Sequence, residues 1–407
     1  MKKPIALILC GGEGERMRPW SIKRHKCLVG VEGGQTAFAR HVTSLKSVCH
    51  IVAFVPWDRR EEFVGEGSVE FVCEKKRTGT GSKLLTVARR YPDRNVIVVY
   101  GDVWYNDSCY ARMLMHLPCT DVIKIMTELP PEDRKDWRGI VVVKDRAVVG
   151  VPEEKAYDSV ESPEFHAALD CFGSQTLRML SRELHGPDLD LMDDVVQHAI
   201  ANGIYVESVL FPVRPAISSA DLGTPERYAG YVCRAYRSRI GYPEIHGEAT
   251  AAVAVLKATR IFTIGNGGSL RVAQHAALDW SKAGYLNAQA LCDSGMVTAY
   301  GNDEDFTEVF AQQVETVRVG PVDVLVCFSV SGNSPNIVKA AVVARERGAK
   351  VVAVTYSASN YLVPLSHHAA LIPGPLHPGP WSYGPIEDGM QVWAHAVTAV
   401  AEGLAPR

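Results

Sequence analysis

Short runs of apolar residues recur along the 407-residue chain, and stretches with helical spacing separate them. Runs of this length that are rich in Val and Ile are typical of buried parallel strands. In the first half they occupy residues 5–10, 51–55, 69–72, 96–100 and 122–126, and residues 139–151 add a meander or hairpin. This pattern predicts an α/β domain in which helices alternate with parallel strands.

The second half repeats the pattern, and it closes with a strongly apolar amphipathic helix over residues 386–404. Its predicted strands are residues 260–264, 288–291, 324–328 and 351–355. Helical spacing over residues 226–260 is broken at Gly241-Tyr242-Pro243. We expect the domain boundary near residue 238, in this break or in the helix before it, with domains at 1–238 and 239–407. The predicted fold class is α/β with two doubly wound, Rossmann-like domains, whose ligands bind at the carboxyl ends of the strands.

The composition is that of a soluble globular protein, with 47% hydrophobic and 22% charged residues. A net charge of -3 argues against nucleic acid as a partner. No apolar stretch approaches the roughly 20 residues that span a bilayer, so no membrane interaction is expected. The ten cysteines lie at least ten positions apart, which favours reduced, buried thiols and a cytoplasmic protein over a metal ribbon or a redox pair.

Two glycine-rich signatures follow predicted strands, one in each half. The first is Gly11-Gly12-x-Gly14, and the second combines Gly265-Asn266-Gly267-Gly268-Ser269 with a serine-rich loop at residues 329–334. A turn of this kind after a buried strand places backbone amides at a helix N-terminus, where an anion is stabilised. The pairing predicts two sites that both bind sugar phosphates.

The first half resembles the sugar-1-phosphate nucleotidyltransferase family over roughly residues 4 to 230. The matching motifs are Gly11-Gly12-x-Gly14-x-Arg16-x-x-Pro19, Lys26, Thr78-Gly79-Thr80, Gly101-Asp102, Glu154-Lys155, His166-Ala167-Ala168 and Asp221-Leu222-Gly223-Thr224-Pro225. In the family reaction a sugar phosphate oxygen attacks the α-phosphorus of an NTP and releases pyrophosphate. Such chemistry needs neutralisation of phosphate charge more than it needs a proton-transfer residue.

The resemblance implies a role for each matching position. Nucleotide binding falls to Gly11, Gly12, Gly14, Arg16, Gly79 and Asp102. Arg16 would hold the leaving pyrophosphate and Lys26 would bridge the α-phosphate and the incoming sugar phosphate. Asp102 and Asp221 would converge on Mg²⁺, a hard cation that prefers carboxylate oxygens and substrate phosphates. The sugar phosphate would be bound by Glu154, Lys155 and His166.

The second half resembles sugar isomerase domains, and among them the phosphoheptose isomerases, over roughly residues 245 to 404. Besides the glycine-rich turn, the matching motifs are Gly301-Asn302-Asp303, Ser329-Val330-Ser331-Gly332-Asn333-Ser334, Glu387-Asp388 and His395. Serine hydroxyls with helix N-terminal amides form a phosphate cradle without fixed positive charge. The residues expected to bind the sugar phosphate are Asn266, Gly267, Ser269, Asp303, Ser329, Ser331, Ser334 and Glu387.

Four side chains are candidates for the chemical centre of this half. His275 and Asp279 lie one turn apart on one predicted helix, and Glu387 and His395 lie about two turns apart on another. Two imidazoles and two carboxylates suit a divalent metal, with Zn²⁺ as the candidate ion. By resemblance, Asp279 and His395 would be the catalytic pair that passes a proton between C1 and C2 through an enediol.

Together the two resemblances imply a bifunctional enzyme of NDP-heptose synthesis. Its expected substrates are sedoheptulose 7-phosphate, heptose 1-phosphate and an NTP, either GTP or ATP, and we expect a homo-oligomer, a dimer or tetramer. Two alternatives stay open at this point. The second domain could be a non-catalytic sugar-phosphate sensor that regulates the transferase, or the transferase could act on a hexose or amino-sugar phosphate.

Overall fold

The computed structural model describes residues 2–12, 14–18, 20–32, 35–63, 68–117, 121–128, 140–151, 163–210, 219–283, 286–374 and 383–404. The chain divides into two compact units. One comprises residues 1–29 and 35–223, and the other comprises residues 30–34 and 224–407. Each unit is built of helices and a parallel-rich sheet, which confirms the predicted α/β fold class.

The first thirteen strands fall in the first unit, except for β2, which belongs to the second. They are β1 (Ile5–Leu9), β2 (Gly30–Glu32), β3 (Gln35–Thr36), β4 (His50–Pro56), β5 (Val69–Glu74), β6 (Val96–Tyr100), β7 (Val103–Tyr105), β8 (Ile123–Glu128), β9 (Ile140–Lys144), β10 (Ala147–Gly150), β11 (Pro163–Phe172), β12 (Val206–Leu210) and β13 (Ser219–Asp221). Nine of them form one sheet in the order β5-β4-β1-β6-β11-β8-β12-β10-β9.

This sheet is mixed rather than fully parallel. The strands β5, β4, β1 and β6 run parallel, and β11 enters antiparallel between β6 and β8. The predicted hairpin over residues 139–151 is the antiparallel pair β9 and β10 at one edge. Apart from the sheet, β7 and β13 form a short antiparallel pair.

Helices cover both faces of the first sheet, as in a doubly wound fold. They are α1 (Trp20–Lys23), α2 (Ala37–Leu45), α3 (Thr80–Arg90), α4 (Asp107–Met115), α5 (Ser174–Glu183) and α6 (Gln197–Ala201). Side chains of β1 alternate between the faces: Ala6 and Ile8 join the core under α2 and α4, whereas Ile5 and Leu7 join the core under α3 and α5. This two-sided burial explains why β1 is an unbroken apolar run.

The second unit has a five-stranded parallel sheet in the order β15-β14-β16-β17-β18. Its strands are β14 (Arg260–Gly265), β15 (Ala288–Ala290), β16 (Asp323–Phe328), β17 (Lys350–Thr355) and β18 (His368–Leu371). Its helices are α7 (Pro225–Ile240), α8 (Glu248–Leu256), α9 (Gly267–Lys282), α10 (Ser294–Asp303), α11 (Ala311–Thr316), α12 (Pro335–Glu346) and α13 (Tyr383–Leu404).

Helices also cover both faces of this second sheet. On one face Trp280 of α9 and Trp393 of α13 are fully buried and pack edge to face, with ring centroids 6.1 Å apart. On the other face Val314 of α11 and Ile337 of α12 pack against β14 and β16. The carboxyl ends of β14 and β16 therefore open beside the N-termini of α9 and α12, where the two parts of the second predicted phosphate signature lie.

The compact units divide at residues 223 and 224, whereas the sequence pattern places the boundary at 238 and 239. The difference is α7, which packs with the second unit through a buried bidentate ion pair between Arg237 and Glu248 of α8, at 2.7 and 2.8 Å.

Among the helices that the structure describes, none has the length and apolarity needed to cross a bilayer.

Candidate active sites

The glycine-rich turn after β1 has no room for side chains. A Cβ on Gly11 would lie 2.9 Å from Glu74 Oε2 and from Lys83 Nζ, and one on Gly12 would lie 3.2 Å from Lys26 Cε. Gly14 has φ 68°, a left-handed conformation that favours glycine. The turn therefore brings bare backbone close to the Glu74 carboxylate and to the ammonium groups of Lys83 and Lys26.

Lys26 and Asp102 form an ion pair beside this turn, with both side chains mostly buried. Burial alone would raise the pKa of the Asp102 carboxyl, but the adjacent Lys26 ammonium outweighs it and the pKa lies below its usual range. Asp102 lies between β6 and β7. The backbone of Asp221 pairs with Val103, the residue that follows Asp102 in the chain. The side chain of Asp221 lies outside the described residues, so the predicted magnesium pair stays a prediction.

Two other predicted nucleotide residues occupy different surroundings. Arg16 is exposed on the short helical turn Glu15–Met17, and its charge contributes to the low pKa of Asp102. Gly79 precedes α3 and donates its N–H to the Pro187 carbonyl at 2.7 Å. Because this amide is already bonded within the fold, Gly79 provides close packing against the backbone of Leu189 rather than a free donor.

A buried ion pair behind the turn was not anticipated from the sequence. Lys83 of α3 is 4% exposed, and its ammonium lies 3.2 Å from Glu74 at the end of β5. A cleft of about 330 Å³ opens beside them, lined by Gly11, Gly12, His25 and Glu74 among others. The sequence signal that could have revealed this pair is the position of Lys83 on the inward face of the amphipathic helix α3.

Of the three residues expected to bind the sugar, only His166 lies among the described residues; Glu154 and Lys155 lie outside them. His166 Nε2 lies 2.8 and 2.9 Å from the two carboxylate oxygens of Asp170, which is fully buried. Asp170 is a further residue of this site that the sequence reasoning missed.

In the second unit the glycine-rich turn and the serine loop, the two parts of the second phosphate signature, lie side by side. The side-chain amides of Asn266, after β14, and Asn336, in α12, exchange hydrogen bonds at 2.9 Å in both directions. Ser329 is buried and accepts from the Gly332 N–H at 3.2 Å, and Ser331 accepts from the Asn333 N–H at 3.2 Å. These hydroxyls shape the serine loop at the start of α12, with Ser334 as its N-cap residue.

Three of the four side chains predicted to form the chemical centre lie close together. Asp279 Oδ2 lies 3.3 Å from His275 Nε2 and 3.5 Å from His395 Nε2, and one ligand atom from each residue lies within 4.8 Å of the others. Burial lowers the pKa of His395, Asp279 opposes this and His275 adds to it, so the imidazole is neutral at neutral pH. The cluster is partly exposed.

Glu387 does not join this cluster, which corrects the predicted set of four metal ligands. It lies eight residues before His395 on α13, a rise of about 12 Å along a helix. Its carboxylate instead accepts a hydrogen bond from Ser269 Oγ at 3.1 Å and lies against Gly268, where a Cβ would overlap it. Glu387 therefore belongs with the glycine-rich turn, and the exposed Gly267 lies in the same turn.

Asp303, also expected at the sugar phosphate, ends α10 and is exposed. Its Oδ1 accepts from Asn302 Nδ2 at 2.8 Å, a bond to its sequence neighbour rather than to the serine loop. Spacing within the Gly301-Asn302-Asp303 motif carries no information about which loop the motif will face.

Comparison with known proteins identifies both halves. Residues 243–356 match the SIS domain model, and residues 6–168 match the MobA-like NTP transferase domain model. The phosphoheptose isomerase of Solidesulfovibrio magneticus is 38% identical over 157 residues, which are 36% of this chain and 76% of that protein. The chain belongs to the phosphoheptose isomerase family.

Other relatives of this phosphoheptose isomerase family member carry the same name. The Mycobacterium bovis protein is 35% identical over 158 residues, 36% of this chain and 76% of its own length, and a Helicobacter pylori protein is 37% identical over 120 residues, 28% and 62%. A solved Bacillus anthracis protein, assigned as a glucose-1-phosphate thymidylyltransferase, aligns with a TM-score of 0.46 and 17% identity over 56% of this chain and 93% of its own. An NTP transferase domain joined to an SIS domain supports a role in sugar-nucleotide biosynthesis.

Proposed function

We propose that the chain is a bifunctional enzyme of NDP-heptose biosynthesis. Its second unit isomerises sedoheptulose 7-phosphate to D-glycero-D-manno-heptose 7-phosphate. Its first unit transfers a nucleotidyl group from GTP or ATP to heptose 1-phosphate and releases pyrophosphate. The observation that carries the proposal is that Asp279 and His395, from two different helices, face each other at 3.5 Å, because a domain that only binds sugar phosphate needs no such acid–base pair.

The isomerisation needs two proton movements. A proton leaves C1 of the ketose to form an enediol and is returned to C2, while the hydroxyl hydrogen on O1 passes to O2. His395, neutral through its lowered pKa, is suited to the carbon proton, and Asp279 beside it is suited to the hydroxyl hydrogen. The phosphate would lie against the serine loop and the N-termini of α9 and α12.

The cluster of His275, Asp279 and His395 also fits a divalent cation. Two imidazole nitrogens and a carboxylate oxygen within 4.8 Å of one another are a donor set that suits Zn²⁺. When bound there, such an ion would polarise the sugar carbonyl and hydroxyl oxygens. The three side chains would hold it, and a neutral His395 is the form that binds a metal.

In the first unit the proposal assigns charge neutralisation to Lys26 and the glycine-rich turn. The ion pair with Asp102 holds the Lys26 ammonium beside the turn. On substrate binding the ammonium would exchange this partner for phosphate oxygens, and the Asp102 carboxylate would become available to Mg²⁺ together with Asp221. Lys26 would then bridge the α-phosphate and the attacking sugar phosphate.

Two assays on the purified protein test the proposal. Sedoheptulose 7-phosphate is supplied alone and aldose formation is followed by NMR, and heptose 1-phosphate is supplied with Mg²⁺ and each NTP while pyrophosphate is measured. We expect product in both. No product in either assay removes the proposal, and transfer that varies with sedoheptulose 7-phosphate while no aldose forms favours a regulatory second unit. Product from mannose 1-phosphate but not heptose 1-phosphate favours a hexose substrate.

The proposal includes a homo-oligomer that forms through the second unit. No residue of α10 is buried, and Met296 on α10 and Phe306 just after it are 36% and 59% exposed. A helix of a compact domain normally buries one face, so α10 is the surface we expect a second copy to cover, with Asp303 near the interface. Light scattering should give a dimer or tetramer, and a monomer at micromolar concentration contradicts this part.

A further inference from the structure

We propose that Asp170 is a positioning residue that fixes the tautomer of His166, so that His166 Nδ1 accepts a hydrogen bond from a hydroxyl of the sugar being activated. The inference deepens the proposed nucleotidyl transfer and rests on it. It specifies which group of the sugar His166 binds. The supporting observations are a β-bulge in β11, the buried carboxylate of Asp170 and a neighbouring turn.

A β-bulge in β11 brings the two side chains together. The pairing of β11 with β8 shifts register between His166 and Asp170, and Ala168 between them has φ 56°, a left-handed conformation that is costly for a residue other than glycine. Tyr105 donates its hydroxyl to the Ala168 carbonyl and so supports the bulge. Bulges of this kind redirect side chains next to active sites.

The burial of Asp170 decides the hydrogen-bond direction. Its carboxylate is 0% exposed, and an isolated buried carboxylate is expensive unless it is paired. Its two oxygens lie 2.8 and 2.9 Å from the same atom, His166 Nε2. A carboxylate oxygen accepts from an N–H, so Nε2 carries the hydrogen, and in the neutral imidazole this leaves a lone pair on Nδ1.

His166 lies beside the turn that carries the predicted catalytic charges. The Tyr100 ring packs edge to face against the imidazole, with centroids 5.9 Å apart, and Tyr100 directly precedes Gly101-Asp102. Within the part of the chain that the structure describes, Nδ1 has no hydrogen-bond partner. The imidazole is thus held rigidly from behind at Nε2, while its other nitrogen is left for a ligand.

The chemistry of Nδ1 defines the group it would bind. A lone pair accepts from a hydroxyl but repels phosphate oxygens, which are acceptors only. The pair would therefore read a free sugar hydroxyl and disfavour a second phosphate at that position. An asparagine at position 170 could donate to Nε2 and would move the ring hydrogen to Nδ1, which turns an acceptor into a donor.

The first experiment compares the wild type with Asp170→Asn. We expect the KM for heptose 1-phosphate to rise about tenfold, as for the loss of one hydrogen bond, and the KM for the NTP to change less than about twofold. Nitrogen-15 NMR of His166 should show the hydrogen on Nε2 in the wild type and on Nδ1 in the variant. Glu207→Gln, which removes a carboxylate paired with Lys124 in the same sheet, is the matched control and should leave the ratio of the two KM values unchanged.

A double-mutant cycle with His166→Asn shows whether Asp170 acts through the imidazole. We expect Asp170→Asn to have little further effect on the KM for heptose 1-phosphate once His166 is replaced. Additive effects, an equal rise in both KM values, or an unchanged tautomer overturn the proposal.

Calorimetric titration with heptose 1-phosphate separates this inference from the proposed function. A wild type that binds the sugar phosphate without transferring contradicts the proposed reaction alone, and weaker binding by Asp170→Asn then still supports the inference. Transfer by the wild type with an unchanged variant contradicts the inference alone. A wild type that neither binds nor transfers contradicts both.

Discussion

Lys26 in the first unit and Asp279 in the second each lie beside a charged or titratable partner from a distant part of the chain. Lys26 pairs with Asp102, and Asp279 lies between two imidazoles. The Lys26 ammonium holds the pKa of Asp102 low against the effect of burial, whereas burial lowers the pKa of His395 against the effect of Asp279. In both units the proposed chemistry therefore depends on pairs of side chains rather than on single residues.

His41 is another residue whose pKa is set by its surroundings, although no function is assigned to it. It is fully buried, its Nδ1 lies 2.7 Å from the Tyr110 hydroxyl, and burial lowers its pKa to about 3. The folded protein therefore leaves His41 neutral where the unfolded chain, with an ordinary pKa of about 6.5, binds a proton.

We predict that His41 makes the first unit less stable in acid. Its contribution is complete above about pH 6.5 and is lost as the pH falls toward about 3, at up to about 1.4 kcal/mol per pH unit. Replacement by Asn should flatten this part of the pH profile, measured by urea-dependent pulse proteolysis of the first unit. His198→Asn, at a partly exposed position beside Glu183, is the control. An unchanged slope in His41→Asn would show that His41 is not the titrating group.

At the scale of elements, glycines at the ends of helices direct the chain. Gly241 ends α7 with φ 68°, and Gly247 begins α8 with φ 74°. Their backbones are alike, but their surroundings differ. A Cβ on Gly241 would meet no atom within 4 Å, whereas one on Gly247 would overlap the Ala369 carbonyl of β18.

This matched pair separates backbone strain from steric overlap. Gly241→Ala should lower the free energy of unfolding of the second unit by about 1 kcal/mol, because alanine tolerates the left-handed conformation poorly. Gly247→Ala should cost about 1–3 kcal/mol more, because α8 must also move away from β18. Thermal unfolding of both variants measures the difference, and equal losses would mean that the overlap relaxes freely.

At the scale of the whole molecule, each proposed reaction uses residues of a single unit. Lys26 and Asp102 lie in the first, and Asp279 and His395 in the second. The second unit also takes in β2, which comes from early in the chain; Tyr228 of α7 donates its hydroxyl to the Gly30 carbonyl at 2.5 Å.

We predict that the two activities can be removed independently. Lys26→Met should lower nucleotidyl transfer by about 10²–10³-fold, because a preorganised charge at the phosphates is lost, and should leave isomerisation unchanged. His395→Ala should abolish isomerisation, spare binding of sedoheptulose 7-phosphate and leave transfer unchanged. Both rates are measured on each variant, and loss of transfer in His395→Ala would indicate a regulatory second unit.

The contribution of β2 can be tested by comparing the full chain with a fragment of residues 224–407. Tyr228→Phe should destabilise the second unit by about 1 kcal/mol in the full chain, because one buried hydrogen bond is lost. In the fragment the same substitution should have a much smaller effect, since Gly30 is absent. Denaturant unfolding measures both differences, and equal effects would contradict a role for the Gly30 carbonyl.

Most of the parallel strands could be predicted from the amino-acid sequence. Buried parallel strands are near-continuous apolar runs, so β1, β4, β5, β6, β8, β14, β16 and β17 were all predicted close to their observed bounds. The strand β11 was missed, because it is antiparallel, bulged and carries His166 and Asp170. The compact units divide before α7, whereas the domain boundary was predicted near residue 238, because periodicity shows that a helix has an apolar face but does not show which core that face meets.

The same division applies to the candidate sites. Glycine-rich turns and the serine loop are local, so composition and spacing identify them. Helical spacing also placed His275 beside Asp279, one turn apart. Only the fold could bring His395 to them and carry Glu387 to Ser269 instead, because spacing along α13 does not reveal what each turn packs against. Pairs such as Lys26 with Asp102 and His166 with Asp170 likewise depend on strand order and on a bulge, which arise only when the whole sheet assembles.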